Sequence, residues 1–96
     1  MLASLTFSPA TCMHVELLGI PRERAGISEL QLEADTLGQL LDLLADRCPG
    51  LRGLIAGGAL HPALAANLNG DEFVSDPTTP LAEHDHLLIL SADVGG

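Results

Sequence analysis

The sequence predicts an α+β domain in which a mixed sheet of four to five strands carries one main helix on one face. Three observations lead to this prediction. Two stretches near the start alternate between apolar and polar residues, an amphipathic stretch with helical spacing follows them, and the second half holds short apolar runs separated by turn residues. Strands grouped around one helix in a chain of 96 residues are typical of this architecture.

The first two strands are predicted from their period-two alternation. In the run 13–18 the inward face consists of Met13, Val15 and Leu17, and the outward face of His14, Glu16 and Leu18. The run 29–33 places Leu30 and Leu32 inward and its charges outward. Glycine and proline punctuate the connection, so the two runs are interpreted as a hairpin with a long loop.

The main helix is predicted to begin at Thr36. Thr36 followed three residues later by Gln39 is a capping-box pattern, in which both side chains satisfy amides at the start of a helix. One face of the helix then carries the leucines Leu37, Leu40, Leu41 and Leu44. Because Pro49-Gly50 ends the pattern, we expect one amphipathic helix packed on the sheet.

The remaining strands are predicted in the second half. Residues 51–62 are rich in glycine, and we expect a loop there with a short helical turn. An extended apolar segment at 63–68, the Asn69-Gly70 turn signal and a short strand at 72–74 follow. The last strand is predicted near 86–91, beside the first strand in the centre of the sheet. This order of strands and helix is that of a β-grasp fold.

The chain is expected to form one domain, at 13–91, between an N-terminal extension, 1–12, and a C-terminal tail, 92–96. Both ends are expected to be flexible, because the extension shows no clean period and the tail has little apolar surface to pack. The tail closes on Gly95-Gly96. Because glycine has no Cβ, such an end can enter a narrow slot and present the Gly96 carboxylate to another protein's active site. An ordinary frayed terminus is the alternative.

The composition excludes several classes of function. Thirteen acids against four arginines give a net charge of −9, so we expect a basic protein surface as a partner and no nucleic acid. No apolar run approaches the roughly 18 residues of a membrane helix, and the start carries no basic signal region, so no membrane partner and a cytoplasmic location are expected. Cys12 and Cys48 fit no C-x-x-C pattern, and Cys48 is interpreted as a half-buried small hydrophobe.

Several segments, taken in order, resemble the MoaD and ThiS family of ubiquitin-like sulfur carriers. The matching segments are Val15-Glu16-Leu17-Leu18-Gly19, Arg22-Glu23, Ala25-Gly26, Leu40-Leu41-Asp42-Leu43-Leu44, Cys48-Pro49-Gly50-Leu51, Leu68-Asn69-Gly70 and Val94-Gly95-Gly96. The resemblance covers residues 13–96. It implies a protein co-substrate whose Gly96 carries the reacting carbon as an acyl-adenylate and then a thiocarboxylate, with Gly95 letting the arm enter the partner's channel.

The resemblance also implies the partners. These are a ubiquitin-activating-type adenylyltransferase that uses ATP and Mg²⁺, a sulfur donor enzyme and a sulfur-accepting biosynthetic enzyme; the chain itself binds no cofactor. A processing protease joins them if the gene continues past Gly96. Molybdopterin synthase small subunits commonly end in Pro-Pro-Val-x-Gly-Gly, whereas Ser91-Ala92-Asp93-Val94 stands here. Cysteine, thiamine, molybdopterin and secondary-metabolite pathways all stay open.

Five residues are predicted to bind partners: Leu18, Leu88, Leu90, Val94 and Arg22. The three leucines are expected on the open face of the sheet, because they alternate with inward-facing residues. Arg22 is expected to pair with an acid on a partner. The alternatives are that single exposed leucines are ordinary and that Arg22 pairs with Glu23 or Glu16 at the surface.

Neither a metal site nor an active site is predicted. His84 and His86 could share one face of a strand, but two imidazoles without a third ligand make a weak site. The sequence holds no recognisable nucleophile with its base, no paired carboxylates and no glycine-rich phosphate loop. Two other functions compete with the sulfur carrier: a ubiquitin-like modifier conjugated through Gly96, and a non-catalytic interaction module.

Overall fold

The computed structural model describes residues 12–91, which form seven strands and two α-helices in a β-grasp arrangement. In chain order the elements are β1 (Cys12–Leu17), α1 (Ile20–Ala25), β2 (Glu29–Glu33), α2 (Leu37–Arg47), a 3₁₀ helix (Pro49–Leu51), β3 (Ile55–Ala56), β4 (Ala59–Leu60), β5 (Leu64–Leu68), β6 (Glu72–Val74) and β7 (His86–Ser91). The predicted extension and tail lie outside the described residues, except for Cys12, which opens β1. Among residues 12–91, neither α-helix is long and apolar enough to cross a lipid bilayer.

Five of the strands form a mixed sheet in the order β2-β1-β7-β5-β6. The central strands β1 and β7 are parallel, with His14 opposite His86 and Leu17 opposite Ile89. The other neighbours in this sheet are antiparallel. The structure therefore confirms the mixed sheet, the first hairpin and the central position of the first and last strands.

The core lies between the sheet and α2. Its buried side chains from β1, β5, β7 and α2 are Met13, Val15, Leu17, Leu64, Ala66, Leu68, Leu87, Ile89, Leu37, Leu40, Leu41 and Leu44. The strand residues recur every second position and the helix residues at helical spacing, which confirms the predicted inward faces of β1, β7 and α2. In the described part of the chain no polar or charged residue is buried. Burying each large aliphatic side chain contributes about 1.5 to 3 kcal/mol, which makes this layer the main source of stability.

The start of α2 is capped by its own side chains. The Gln39 backbone N–H donates to Thr36 Oγ1 at 3.3 Å, and Gln39 Oε1 accepts from the Asp35 N–H at 2.8 Å. The predicted capping box is confirmed, with the return bond made to the residue before the cap. The first helical amides, of Leu37 and Gly38, donate to carbonyl oxygens of the segment 77–79. That segment therefore closes over the helix start and satisfies its orphan donors.

Removing the cap tests its contribution. We expect Thr36→Ala to lower the free energy of unfolding by about 1 kcal/mol, because the Gln39 amide loses its acceptor. Urea denaturation measures this difference. Thr79→Ala is the matched control, because the Thr79 hydroxyl makes no hydrogen bond with residues 12–91. Equal losses in the two variants would contradict the assignment of Thr36 as the cap.

One helix was not predicted. The connection between the first two strands contains α1, which begins after Gly19 and has Pro21 in its first turn. Proline is tolerated there because the first helical amides have no partner within the helix. Gly26 ends α1 with φ 79°, and its N–H donates to the Arg22 carbonyl at 3.0 Å. Since α1 is shorter than two turns, it leaves no helical period in the sequence, and its start and stop residues were interpreted as loop signals.

A small hairpin was also missed. The predicted loop at 51–62 contains β3 and β4, which pair in a two-stranded sheet of their own. Gly57 and Gly58 join them with φ values of 60° and 75°, the left-handed conformation that two-residue hairpin turns require. The 3₁₀ helix ends at Leu51, where this region begins, and a hydrogen bond from the Leu54 N–H to the Leu51 carbonyl adds one turn inside it. The strands are too short for alternation to reveal them.

Candidate functional site

The face of the sheet opposite α2 carries the side chains at the other alternate positions. From β1, β7, β5 and β6 these are His14, Glu16, His86, Leu88, Leu90, Ala65, Asn67 and Phe73. Leu87 and Ile89 are buried, whereas Leu88 and Leu90 are only partly buried. The predicted faces of the last strand are therefore confirmed: Leu87 and Ile89 lie on the core side, and Leu88 and Leu90 lie on the open side.

Leu18 lies directly after β1, beside the end of β7. Its N–H donates to the Ile89 carbonyl at 2.9 Å, which continues the parallel register and brings Leu18 next to Leu90. Leu18 is 40% exposed, and Ile20, which sequence reasoning missed, is 43% exposed. We call Leu18, Leu88 and Leu90 the apolar patch. The predicted leucines thus lie together, while their role in binding a partner stays a prediction.

Two histidine–glutamate pairs lie on the same face. His14 Nε2 is 2.9 Å from Glu29 Oε1, and His86 Nε2 is 3.0 Å from Glu16 Oε1. The two imidazole centroids are 4.8 Å apart. Pairs opposite one another on one face of a sheet stabilise it, so this cluster ties β2, β1 and β7 together. It was not predicted, although the alternation had placed His14 and Glu16 on this face.

The predicted placement of His84 on a strand with His86 is wrong. His84 lies in the turn before β7, with φ 71° and its side chain 88% exposed, whereas His86 is part of the central strand. Within residues 12–91 no group of three histidine, cysteine or acidic side chains is placed to hold a metal ion. On this face the side chain of His86 contacts Glu16 and His14.

Cys48 lies at the end of α2 and is 4% exposed, so it is fully buried rather than half-buried. Burial raises the pKa of its thiol above the usual value, and the neighbouring charge of Arg47 opposes that shift only in part. A thiol with a raised pKa is a weak nucleophile near neutral pH, because the thiolate is the reactive form. Cys48 therefore packs as a small apolar residue.

Arg22 lines an open groove of about 740 Å³ beside α1. The groove is lined by Gly19, Arg22, Glu23, Gly26, Ile27, Ser28 and Glu29. The guanidinium of Arg22 makes no ion pair with residues 12–91, so the alternative pairing with Glu23 or Glu16 is not found. That Arg22 meets an acid on a partner stays a prediction.

The end of β7 lies at this same corner of the domain. Ser91, the last described residue, accepts a hydrogen bond from the Ile20 N–H at 3.2 Å. The patch, the Arg22 groove and the start of the tail are therefore neighbours. Val94, Gly95 and Gly96, the three site residues predicted in the tail, lie outside the described residues.

Comparison with known protein families shows which family this chain belongs to. A family model described as the ThiS family matches residues 15–96. The chain belongs to the ThiS family. The resemblance predicted from the sequence, to a family of ubiquitin-like sulfur carriers, is thereby confirmed. A comparison with curated proteins finds no match.

Solved structures similar to this ThiS-family chain share its fold. SAMP1 from Haloferax volcanii is 26% identical with a TM-score of 0.74, over 88% of this chain and 99% of SAMP1. A chain of the BexX/CysO complex from Amycolatopsis orientalis is 25% identical with a TM-score of 0.72, over 88% of this chain and 99% of that chain. A chain of the complex of subunits 1 and 2 of the Helicobacter pylori molybdopterin-converting factor, 22% identical, has a TM-score of 0.64 over 90% of this chain and 100% of its own.

Proposed function

We propose that this ThiS-family protein is a sulfur carrier that acts in the cytoplasm as a protein co-substrate of other enzymes. The observation that carries the proposal is the family match, which runs from the first strand through Gly96. The described domain supports it by holding the apolar patch and an unpaired Arg22 at the corner where the tail begins. The domain docks, and the tail delivers the reacting group.

The chemistry starts from the Gly96 carboxylate, which is a poor electrophile because a nucleophile would have to expel oxide from it. One carboxylate oxygen attacks the α-phosphorus of ATP, pyrophosphate leaves and an acyl-adenylate forms. ATP and Mg²⁺ belong to a ubiquitin-activating-type adenylyltransferase, where the metal neutralises phosphate charge. Gly95 lets the chain enter the enzyme's channel, because it has no side chain to obstruct it.

Sulfur loading and transfer follow. A hydrosulfide from a sulfur donor enzyme adds to the carbonyl carbon and AMP leaves, which produces the thiocarboxylate. In the accepting biosynthetic enzyme this sulfur attacks an electrophilic carbon of the substrate and displaces a leaving group, which departs with the electron pair of the broken bond. Water then cleaves the bond between the acyl carbon and sulfur, so the sulfur stays on the product and the carboxylate is regenerated. Cysteine, thiamine, molybdopterin and secondary-metabolite syntheses are the candidate pathways, and a processing protease acts first if the gene continues past Gly96.

Docking is assigned to the apolar patch together with Arg22. The patch offers apolar area that a partner would remove from water, and Arg22 offers a charge without an ion-pair partner in the described chain. The net charge of −9 favours a basic partner surface and speeds encounter more than it tightens binding. A relative that is 25% identical stands in a complex of CysO with BexX, which supports the expectation of a protein partner.

A charge placed in the patch tests its role. We expect Leu18→Asp to raise the KM of the adenylyltransferase for this protein at least about tenfold, because a carboxylate would be desolvated on docking. Steady-state pyrophosphate release measures KM and kcat. Leu43→Asp is the matched control: Leu43 is 38% exposed, close to the 40% of Leu18, but it lies on α2, across the core from the patch. If both variants raised KM equally, the patch would not be the docking surface.

A second candidate function is a protein modifier joined to lysines through Gly96. The likeness to the small archaeal modifier protein SAMP1, at 26% identity, favours it. Both functions share the acyl-adenylate, and they differ in the nucleophile that takes the acyl group. A sulfur nucleophile gives a carrier, and a lysine amine gives an isopeptide bond.

Intact-mass spectrometry separates the two functions. The protein is incubated with the adenylyltransferase from its own gene neighbourhood, ATP and a sulfur donor. A sulfur carrier gains the mass difference between one sulfur and one oxygen atom, whereas a modifier appears as lysine conjugates of other proteins. Unchanged mass with every neighbouring activating enzyme would overturn both and leave an interaction module.

A further inference from the structure

We propose that Ser91 and Gly19 form a clasp that anchors the residue directly before the C-terminal tail, which makes Ser91 a positioning residue for the acylation chemistry. This inference rests on the proposed function. It adds a residue pair that neither the sequence patterns nor the family match points to. The clasp joins the last residue of β7 to the start of α1, which are 71 positions apart in the chain.

The first half of the clasp is a hydrogen bond. The Ile20 N–H, the first amide of α1, donates to Ser91 Oγ at 3.2 Å. Gly19 is the N-cap of α1 and makes no side-chain cap bond. The Ser91 hydroxyl therefore satisfies one of the first amides of α1, which have no acceptor within the helix, from a distant part of the chain.

The second half of the clasp is the absence of a side chain at Gly19. A Cβ built on Gly19 would lie 2.8 Å from Ser91 Oγ, and 3.9 Å from the Ser91 backbone nitrogen. Gly19 also has φ 69°, which disfavours other residues. Glycine at this position therefore lets the end of β7 lie against the loop with only the Ser91 side chain between them.

The strand end is held on both of its sides. On one side the Leu18 N–H donates to the Ile89 carbonyl at 2.9 Å, and on the other Ser91 lies opposite Leu64 in the antiparallel pair of β7 with β5. The hydroxyl bond adds a third attachment at the end of the described strand. β7 cannot shorten by a residue without breaking the clasp.

An anchored Ser91 limits how far Gly96 can lie from the apolar patch. The segment 92–96 spans at most about 18 Å when fully extended, and each residue released from the strand would change that reach by about 3.5 Å. A displacement of even about 1 Å at a reacting group lowers rates strongly. Docking through the patch therefore keeps the acyl carbon within the same reach only while Ser91 stays attached.

The experiment compares Ser91→Ala with the conservative Ser91→Thr, and uses Ser75→Ala, an exposed serine after β6, as the matched control. Pyrophosphate release gives kcat and KM of the adenylyltransferase for each variant. We expect Ser91→Ala to lower kcat about fivefold with KM unchanged, the population change that loss of one hydrogen bond produces. Ser91→Thr and Ser75→Ala should keep the wild-type kcat.

Amide hydrogen exchange at Ile20 tests the clasp without the enzyme, and should be faster in Ser91→Ala than in Ser91→Thr. Unchanged exchange, an unchanged kcat, or an increase in KM alone would each overturn the clasp. If wild-type protein is adenylated and Ser91→Ala behaves identically, only the clasp fails. If wild-type protein is never adenylated, the proposed function fails and the clasp has nothing to position.

Discussion

Deletion of Gly96 is expected to abolish thiocarboxylate formation and to leave the thermal unfolding midpoint unchanged. The shortened chain still ends in a glycine carboxylate, but that carboxylate lies about 3.5 Å short of the position Gly96 would occupy in the adenylyltransferase. We expect loading to fall about a thousandfold or more, since effective concentration is lost steeply when reacting groups no longer meet. The buried residues of the described domain all lie between Met13 and Ile89, so the core is untouched.

Intact mass and pyrophosphate release measure this loss, and thermal denaturation checks the fold. Gly96→Ala is the matched variant, because it keeps the chain length and the terminal carboxylate and adds one methyl group. It should lose less activity than the deletion, by an amount that reports how narrow the partner's channel is. Sulfur loading that survives the deletion would contradict the assignment of Gly96 as the acyl carrier.

The strands and the faces of their side chains were predictable because apolar residues occupy every second position where one face of a sheet is buried. Leu87 and Ile89 had to face α2 once Leu88 and Leu90 faced away, and one error of register would have inverted every residue of the strand. The phase was set independently by Met13, Val15 and Leu17 in the neighbouring strand. Because the patterns of these two strands agree, the sequence predicts that the leucines of the apolar patch lie on one face.

Contacts between distant segments could not be predicted in the same way. The contact between the tilted rings of His14 and His86 depends on the register between two parallel strands, and no local turn fixes that register. The bond from Ile20 to Ser91 depends in addition on α1, which is too short to leave a helical period. Each requires positions in three dimensions that patterns along the chain do not contain.

Gly50 has a structural role that the sequence pattern around it does not indicate. The sequence marks Pro49-Gly50 as the stop of α2, which the structure confirms. The structure also shows that Gly50 packs against the end of α1. A Cβ built on Gly50 would overlap the carbonyl oxygen of Arg24. The next nearest atoms are the Arg24 carbonyl carbon and Cα, at 3.0 and 3.6 Å. Because all three are backbone atoms, no side-chain rotation can relieve the overlap.

We therefore expect Gly50→Ala to lower the free energy of unfolding by about 3 kcal/mol, at the upper end of overpacking costs. For a domain of this size, the unfolding midpoint should fall by about 12 to 24 °C. Relief of the overlap would move α1 away from the 3₁₀ helix and, with it, Ile20 away from Ser91. Calorimetry measures the midpoint, and amide exchange at Ile20 follows the displacement.

Gly53→Ala, three residues along, is the matched control for this largest stability effect. A Cβ built on Gly53 meets nothing within 4 Å, and the backbone there is not left-handed. The same substitution should therefore change the free energy of unfolding by no more than about 0.5 kcal/mol. The change can have either sign, because alanine lowers the conformational entropy of the unfolded chain and so favours the folded state. A similar fall in both variants would mean that general flexibility of the segment, and not the contact of Gly50 with Arg24, requires glycine.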